Sequence, residues 1–283
     1  MIKLAPVLGK SKIVSITFQL IHQWFLTPIT HKRLVKNFTR QDFTAQFTAS
    51  IGGFIWLLLT PICNITIYAF VFSYIFKVRA VEDFGETSFV LFLMIGYLPW
   101  FAFAESLGKS TSLLLDKASL ITKVKFPVQI LPVSGTLVPY LTHTIGLVLL
   151  LIYLAANGYA NAMWAAIPLV LFLQFIFTMG LVAILSSLSV FLRDLQQIVA
   201  LIVSIWFFLT PIIYPINMIQ SDTIRGYFLW NPMHSFINLY REIILLGEIS
   251  VNHLQISIIF AIVSYILGGW LFMKIRPAFG DVL

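Results

Sequence analysis

Residues 126–192 of this chain read FPVQILPVSGTLVPYLTHTIGLVLLLIYLAANGYANAMWAAIPLVLFLQFIFTMGLVAILSSLSVFL, which is 67 residues without Asp, Glu, Lys or Arg. In a helix that rises about 1.5 Å per residue, about 20 apolar residues cross the roughly 30 Å hydrocarbon core of a bilayer. The stretch is therefore long enough for two spans, joined by the polar break NGYAN at residues 157–161. The charged pair Arg193–Asp194 ends it, and another apolar run follows. These features predict a polytopic membrane protein.

The composition independently indicates a lipid environment. Hydrophobic residues make up 59% of the 283 residues, charged residues only 10%, and the mean hydropathy is +0.95, whereas a soluble domain carries about 25% charged residues. The one cysteine, Cys63, allows neither an intrachain disulfide nor a zinc cluster. The first apolar stretch, residues 13–26, is interrupted by Gln19, His22 and Gln23 and has no small-residue cleavage site, so we expect no cleavable signal peptide.

The hydropathy pattern predicts an all-α protein with six transmembrane helices, at about residues 51–76, 88–104, 133–156, 163–190, 196–216 and 254–273. With the N-terminus inside, 14 of the 18 Lys and Arg residues lie on the cytoplasmic side and four on the outer side. This is the positive-inside pattern, and it predicts that both termini are cytoplasmic. The asymmetry accounts for the formal net charge of +7, which therefore does not indicate a nucleic-acid partner.

Residues 1–49 are predicted to form a cytoplasmic N-terminal region of interfacial helices, and residues 50–283 a transmembrane domain. In the N-terminal region, Phe38, Phe43 and Phe47 stand among Lys, Arg, Asp and Gln. The pattern is typical of helices that lie along a membrane, with an apolar face on lipid and a basic face toward anionic headgroups. The alternative is a seventh span at residues 13–29, which would place the N-terminal lysines outside or reverse every later loop.

Residues 105–125 form the longest polar stretch between cytoplasmic span ends. Apolar residues alternate there with Ser, Asp and Lys; they are Leu113, Leu114, Leu115, Leu120 and Ile121. The spacing indicates a short amphipathic helix outside the membrane that is suited to bind a protein partner. The alternative is a solvated loop that lies on lipid.

Residues 217–253 form a second irregular segment. Within it, residues 228–246 are nearly long enough to span, but they contain Asn231–Pro232 and the charged pair Arg241–Glu242. Each charge at mid-bilayer costs about 2.5–3.5 kcal/mol on the insertion scale, which disfavours a complete crossing. We therefore predict two re-entrant half-helices between the fifth and sixth spans, broken at Asn231–Pro232. Irregular backbone at that depth needs shelter from protein or a water-filled cavity, so the segment is a candidate outer gate.

No motif for an energy source or for catalysis is complete. The triplets GKS at residues 9–11 and 108–110 match only the end of the P-loop G-x-x-x-x-G-K-[ST], because residues 4 and 103 are Leu and Phe rather than Gly. The predicted spans contain no Asp, Glu, Lys or Arg, and His143 is their one histidine. We expect His143 to hydrogen-bond to a neighbouring helix rather than to relay protons. Glu105 is expected at the interface. We predict no catalytic residue, metal site or cofactor on this chain, and a passive conduit that another protein drives.

Aromatic residues make up 15% of the chain, with 26 Phe, 10 Tyr and 7 Trp. Most are expected to form interfacial belts or to lie between packed helices. The remainder could line a pathway for sugars, because a flat ring stacks on sugar C–H groups without a fixed hydrogen-bond pattern and lets a varied polymer slide. The candidates cluster at the ends of the first two spans and are Trp56, Tyr68, Trp100, Phe101 and Phe103.

A series of short motifs runs from about residue 32 to the C-terminus. In order they are S-x-x-G-x-x-W-x-x-x-x-P at 50–61, YAFVF at 68–72, GYLPW at 96–100, LITKVKFP at 120–127, ILP at 130–132, FLRDLQ at 191–196, TPIIYP at 210–215, WNP at 230–232 and FGDVL at 279–283. Their order and spacing resemble the ABC-2 family of export permeases, and within it the branch that exports polysaccharides such as O-antigens, capsules and teichoic acids. The sequence departs from the family pattern at Gln46–Phe47, where Arg–Tyr is usual, and at Ser119, where Asn is usual.

The resemblance implies a homodimer of six-helix subunits that works with two separate ATP-binding subunits, which hold the ATP and Mg²⁺. It makes residues 105–125 the coupling segment that docks onto the ATP-binding subunit, with the coupling residues Leu114, Leu115, Asp116, Lys117, Ser119, Leu120, Ile121 and Lys123. It makes the N-terminal interfacial helix a gate helix. The outer gate would be formed by Tyr214, Trp230, Asn231, Pro232 and Arg241, and Arg193–Asp194 would form a cytoplasmic loop motif.

The expected function is that of the transmembrane subunit of an ATP-driven exporter, which moves polysaccharide linked to undecaprenyl pyrophosphate, most simply an O-antigen, across a bacterial inner membrane. Lys32, Arg33 and Arg40 are candidates to attract the anionic pyrophosphate on the cytoplasmic side; their alternative role is plain positive-inside anchoring. Alternative functions are export of capsule, teichoic acid, or a small lipid or drug. A non-transport protein of polysaccharide assembly, such as a polymer ligase, is a further alternative.

Overall fold

The computed structural model describes residues 10–48, 52–75, 80–81 and 87–283, which are nearly all helical. The helices are α1 Lys10–Thr30, α2 Lys32–Thr48, α3 Ile55–Ala69, α4 Phe89–Ser110, α5 Ala118–Lys123, α6 Ile130–Ala156, α7 Ile167–Ser189, α8 Leu195–Phe208, α9 Asp222–Leu229, α10 Pro232–Arg241, α11 Val251–Ile275 and α12 Phe279–Val282. Short π-helical turns, Phe70–Ile75 and Glu242–Leu246, extend α3 and α10. The exception to the predicted all-α class is a pair of two-residue strands, β1 Ala80–Val81 and β2 Thr87–Ser88, which pair antiparallel.

Four helical stretches among the described residues are long and apolar enough to cross a membrane. They are Phe89–Ser110, Ile130–Ala156, Ala162–Ser189 and Val251–Val282. They cover the spans predicted at 88–104, 133–156, 163–190 and 254–273, and α4 continues past its predicted end to Ser110. The multi-pass membrane class is thus confirmed. The span predicted at 51–76 corresponds to α3 with its π-helical turn.

The helical part of the fifth predicted span, 196–216, is shorter than predicted because α8 ends at Phe208. Its 14 residues are about 21 Å long at 1.5 Å per residue. Pro211 has no N–H with which to continue the helix. The carbonyl of Leu209 instead accepts a hydrogen bond from the Asn231 side chain, at 3.1 Å. Two residues thus end α8: Pro211, which follows the helix closely, and Asn231, which lies after α9.

The closest backbone contact occurs where α7 meets α11. A Cβ atom on Gly180 would overlap the backbone of Ser264, and one on Gly268 would overlap the carbonyl group of Gly180. Small residues allow this approach, which is common between helices in membranes. The Ser264 hydroxyl is buried in the contact and donates to the carbonyl oxygen of Phe177 at 2.8 Å. The pair α7 and α11 therefore forms the most extensive helix contact among the described residues.

Helix α1 is attached to the transmembrane helices by a tryptophan. Trp24 is completely buried, and its ring occupies the space that a side chain at Gly269 of α11 would need. The Trp24 ring centroid lies 5.8 Å from that of Tyr265 and 5.5 Å from that of Phe272. Helix α1 is not among the four stretches apolar enough to span. It is held against the end of α11 by aromatic packing.

Polar contacts hold the C-terminal end of α1 as well. The buried Gln129, just before α6, donates from Nε2 to the Thr27 hydroxyl at 3.2 Å. Its Oε1 accepts from the Arg276 guanidinium at 3.0 Å. Arg276 follows α11, so this one amide connects α1, α6 and α11 near the predicted cytoplasmic face.

Candidate functional site

A cavity of about 500 Å³ lies between α2, α3, α4 and α6. Its volume is within the range of about 300–1,000 Å³ typical of small-molecule sites. Its walls combine flat aromatic rings with polar and charged side chains; the lining residues are Gln46, Phe47, Trp56, Thr60, Tyr97, Phe101, Ala104, Glu105, Thr142 and His143. We name it the aromatic cavity. One wall is the end of α2, so the predicted gate helix borders on the transmembrane helices at this point.

The apolar walls of the cavity are built from rings one helical turn apart. Tyr97 and Phe101 of α4 stack with ring centroids 4.0 Å apart. Trp56 of α3 is half exposed, and Phe47 of α2 stacks on Phe54 at 4.8 Å. Such faces provide apolar contact area without a fixed hydrogen-bond pattern.

The polar part of the cavity is an ion-paired carboxylate. His143 Nε2 lies 2.9 Å from one oxygen of Glu105, and Lys109 Nζ lies 2.6 Å from the other. The predicted hydrogen bond from His143 to a neighbouring helix is thus confirmed, with Glu105 of α4 as the partner. Glu105 was expected at the interface, but α4 continues beyond it and the carboxylate lines the cavity.

The second nitrogen of the imidazole is inaccessible. His143 Nδ1 is buried and has no hydrogen-bond partner within the described part of the chain. Buried polar atoms usually have such a partner. The accessible polar group of the pair is therefore the Glu105 carboxylate, which lines the aromatic cavity.

The five candidate pathway residues do not lie together. Trp56 and Phe101 line the aromatic cavity. Trp100 and Phe103 are buried on the opposite side of α4, where both pack against the ring of Trp206. Helix α4 turns about 100° per residue, so neighbouring aromatic residues face different surroundings. The side chain of Tyr68 is outside the described residues.

The three basic residues proposed to meet a headgroup lie on α2. Lys32, Arg33 and Arg40 are all exposed. The same helix buries Val35 and Thr39, and it packs against α6. Arg33 and Arg40 lie seven positions apart and therefore share one exposed face of α2.

Residues 105–110 of the coupling segment are the last turns of α4, and Ala118–Lys123 form α5. The leucines between them, at positions 113–115, lie in turns. Leu114 is completely buried within this chain, whereas Leu115 is 41% exposed. The other predicted coupling residues divide into an exposed set, Asp116, Ser119 and Lys123, and a half-buried set, Lys117, Leu120 and Ile121. Leu114 thus supports the segment from inside, and Leu115 with the exposed set forms its outer surface.

The Asn231 side chain joins the two half-helices of residues 217–253 to the end of α8. Its Oδ1 accepts from Trp206 Nε1 at 2.9 Å and from the Met233 N–H at 3.1 Å, which makes it the N-cap of α10. Its Nδ2 donates to the Leu209 carbonyl oxygen and the Thr210 hydroxyl. The α9 and α10 helices meet at this residue, as predicted, and Pro232 begins α10.

Arg241 is buried at the end of α10 and donates to backbone carbonyl groups. Its guanidinium reaches the carbonyl oxygens of Pro211 at 2.8 Å, Ile212 at 2.9 Å and Phe92 at 3.3 Å. Its Cζ lies 3.4 Å from the centroid of the Phe92 ring, a cation–π geometry. Arg241 therefore fastens α10 to α4 and to the segment after α8.

The remaining predicted residues have surface positions. Arg193 and Asp194 are exposed in the turn between α7 and α8. Trp230 is 76% exposed, and the half-buried Tyr214 donates its hydroxyl proton to the Phe208 carbonyl at 2.8 Å.

Several residues of the aromatic cavity were not predicted as site residues. Tyr97 belongs to the GYLPW motif, and Gln46 and Phe47 were noted as departures from a family pattern. Glu105 and His143 were considered separately, and their separation of 38 residues concealed the pair. No sequence signal joined them, because the predicted spans place Glu105 at a span end and His143 in the middle of another span.

The amino-acid sequence matches a described family. Residues 33–245 match the family "ABC-2 type transporter". The chain is 32% identical over 219 residues to the O-antigen export system permease protein RfbA of Myxococcus xanthus, covering 75% of this chain and 80% of that protein. It is 29% identical over 251 residues to the RfbA permease of Klebsiella pneumoniae, covering 87% and 93%. It is 25% identical over 227 residues to the polysialic acid transport protein KpsM of Escherichia coli, covering 76% and 83%.

The family match begins near the start of α2, at residue 33, and ends within the π-helical turn after α10. It therefore includes the aromatic cavity, the coupling segment and the half-helices with Asn231 and Arg241. The expected resemblance to export permeases is confirmed over three quarters of the sequence. The chain belongs to the ABC-2 type transporter family.

Proposed function

We propose that this chain is the transmembrane subunit of an ATP-driven exporter that moves a lipid-linked O-antigen polysaccharide from the cytoplasm to the periplasm. Two observations support the proposal together. The relatives from Myxococcus and Klebsiella carry the name of O-antigen export permeases, and the aromatic cavity combines flat rings with a carboxylate–imidazole pair. The aromatic cavity suits a sugar chain, because its rings accept the apolar faces of sugars while the Glu105 carboxylate, oriented by His143, can accept hydrogen bonds from their hydroxyls.

In the proposed topology, the chain crosses the bacterial inner membrane six times, and both termini lie on its cytoplasmic side. Spans one and five are α3 and α8, each extended by non-α-helical residues. The half-helices α9 and α10 enter from the outer face and return. The contacts of Asn231 and Arg241 support this, since backbone at membrane depth must be sheltered by protein.

The proposed assembly is a homodimer with two ATP-binding subunits, which carry ATP and Mg²⁺. The exposed apolar side chains of α3 and α8, among them Ile55, Ile62, Leu201 and Phe208, are available to lipid or to the second copy. The coupling segment meets the ATP-binding subunit, and Lys32, Arg33 and Arg40 attract the pyrophosphate of an undecaprenyl carrier at the cytoplasmic face.

Phe101→Ala is expected to lower the rate of export roughly 3- to 10-fold, as follows from the loss of about 0.5–1.5 kcal/mol of ring stacking. The permease and its ATP-binding partner are reconstituted in vesicles, and translocation of an undecaprenyl-pyrophosphate-linked glycan is measured. Phe101→Tyr keeps a flat ring and should retain export. Phe172→Ala removes an exposed aromatic side chain of α7 outside the cavity and is the matched control. Equal rates for Phe101→Ala and Phe172→Ala would rule out the cavity as the path.

Leu115→Ser is expected to uncouple the two subunits without unfolding the permease. Leu115 is exposed on the coupling segment, so its loss removes a contact with the partner and leaves the core intact. In the same vesicles, glycan-stimulated ATP hydrolysis should fall at least about fivefold, the lower end of usual coupling factors. Leu114→Ser is the contrasting variant, because Leu114 is completely buried and its replacement should lower the unfolding temperature. If stimulation by glycan survives in Leu115→Ser, the docking role of this surface is refuted.

The polysialic acid transport protein among the relatives supports a capsule polysaccharide as the second candidate substrate. The vesicle assay separates the candidates when glycans of both kinds are offered. Stimulation by a short lipid or drug alone would favour the small-molecule exporters of the family.

A further inference from the structure

An ion pair crosses from the coupling segment to the helix that closes one wall of the aromatic cavity. Lys117 Nζ lies 2.9 Å from Asp42 Oδ1 of α2, although the two residues are 75 positions apart. Both side chains are largely buried, with 21% and 27% of their surfaces exposed. The Lys117 ammonium also lies 5.7 Å from the ring centroid of Phe38, one turn earlier on α2. The contact is therefore made on two successive turns of the helix.

Asp42 stands one helical turn before Gln46, which lines the aromatic cavity. Gln46 also lines a smaller cavity of about 350 Å³, together with Asp42, Lys109, Leu113 and Lys117. This space lies between α2 and the coupling segment, and the Asp42–Lys117 pair bridges it. A displacement of Lys117 would therefore pull on Asp42, one helical turn from the α2 residues that form the wall of the aromatic cavity.

We propose that the Asp42–Lys117 ion pair transmits movement of the coupling segment to α2, and through α2 to the wall of the aromatic cavity. The proposal rests on the proposed function, since the movement originates in an ATP-binding partner. Asp42 and Lys117 are positioning residues in it. Neither is required to touch the transported glycan.

The pair is poorly suited to a purely stabilising role. Helix α2 already packs on α6, and its Val35 and Thr39 are buried. A largely buried ion pair is weak evidence for stabilisation, because the cost of removing both charges from water can exceed their mutual attraction. A helix, however, is stiff along its axis, so a charge contact at Asp42 can shift Gln46 and Phe47 together. Loss of the pair should therefore reduce export even in protein that is still folded.

The decisive variant is Asp42→Asn, because Asp42 lies outside the coupling segment and its loss leaves the surface for the partner unchanged. The permease with its ATP-binding partner is reconstituted in vesicles with an undecaprenyl-pyrophosphate-linked glycan, and glycan moved per ATP hydrolysed is measured. We expect Asp42→Asn and Lys117→Gln to lower this ratio about fivefold or more in protein that is still folded, which its unfolding temperature verifies. Asp42→Glu keeps the charge and should keep the ratio.

The charge exchange Asp42→Lys with Lys117→Asp should restore the ratio to within about twofold of the original protein, as expected if the two residues act through each other. Lys36→Gln removes an exposed charge from the same helix and is the matched control. A ratio in Asp42→Asn equal to that of Lys36→Gln overturns the link, as does a charge exchange no better than the single variants. An original complex that moves no glycan overturns the proposed function instead.

Discussion

Arg241→Ala is expected to lower the free energy of unfolding by several kcal/mol, which is enough to deplete the folded permease. The guanidinium donates to the carbonyl oxygens of Pro211 and Ile212. Each buried acceptor that loses its donor costs about 1–3 kcal/mol. The void left beside Phe92 adds to this. The shift is measured as the unfolding temperature of the purified protein in detergent.

Arg241→Lys should give an intermediate loss, because an ammonium group is a point charge and cannot serve both carbonyls as the planar fork does. Arg225→Ala is the control. Arg225 pairs with Asp222 at 3.1 Å on the surface of α9, a contact worth about 0–1 kcal/mol. It also donates one hydrogen bond to the Ile219 carbonyl oxygen at 2.9 Å, worth about 0.5–1.5 kcal/mol. Similar unfolding temperatures for Arg241→Ala and Arg225→Ala would show that Arg241 does not fasten α10 to its neighbours.

Gly268→Leu is expected to abolish the contact between α7 and α11 and leave little folded protein in the membrane. Even one added carbon at Gly268 would overlap the carbonyl of Gly180. Overpacking commonly costs about 1–3 kcal/mol when side chains can adjust. Here the obstacle is backbone, which cannot rotate away, so the two helices must separate. Gly268→Ala should therefore be destabilised measurably, and Gly268→Leu more.

The matched control for this prediction is Gly280→Ala. A Cβ at Gly280 has no heavy atom within 4 Å, and its backbone is not in the left-handed region. We expect its unfolding free energy to change by no more than about 1 kcal/mol. The comparison uses membrane yield and unfolding temperature together. A Gly268→Leu protein as abundant and as stable as Gly280→Ala would contradict the close helix contact.

The four helical stretches that are long and apolar enough to span a membrane were predictable, because hydropathy and charge depend on local composition alone. Residues 126–192 are apolar enough to define α6 and α7 without knowledge of any contact. The end of α8 was not predictable to the same degree. It depends on Asn231, which lies more than twenty positions later and reaches the Leu209 carbonyl only in the folded chain. Pro211 was the one local signal.

The sequence predicted that aromatic residues would line a pathway, but it did not predict which of them line the aromatic cavity. The abundance of rings suggested a pathway, and Trp56 and Phe101 do line the cavity. Trp100 and Phe103 have the same side-chain chemistry, yet their positions on α4 turn them toward Trp206. Which face of a helix meets a cavity depends on the neighbouring helices. The pairing of Glu105 with His143 was not predicted for the same reason, because it depends on how α4 and α6 face each other.

The burial of Trp24 determines how α2 is able to move. Helix α1 is anchored to α11 by Trp24 in the space beside Gly269, and its end is tied down through Thr27 and Gln129. The chain then turns at His31 before α2 begins. A force on Asp42 would therefore act on a helix whose N-terminal end is held in place by α1. If Lys117 displaces Asp42 as proposed, we expect α2 to turn about His31, with the largest displacement at its far end, where Phe47 borders the cavity.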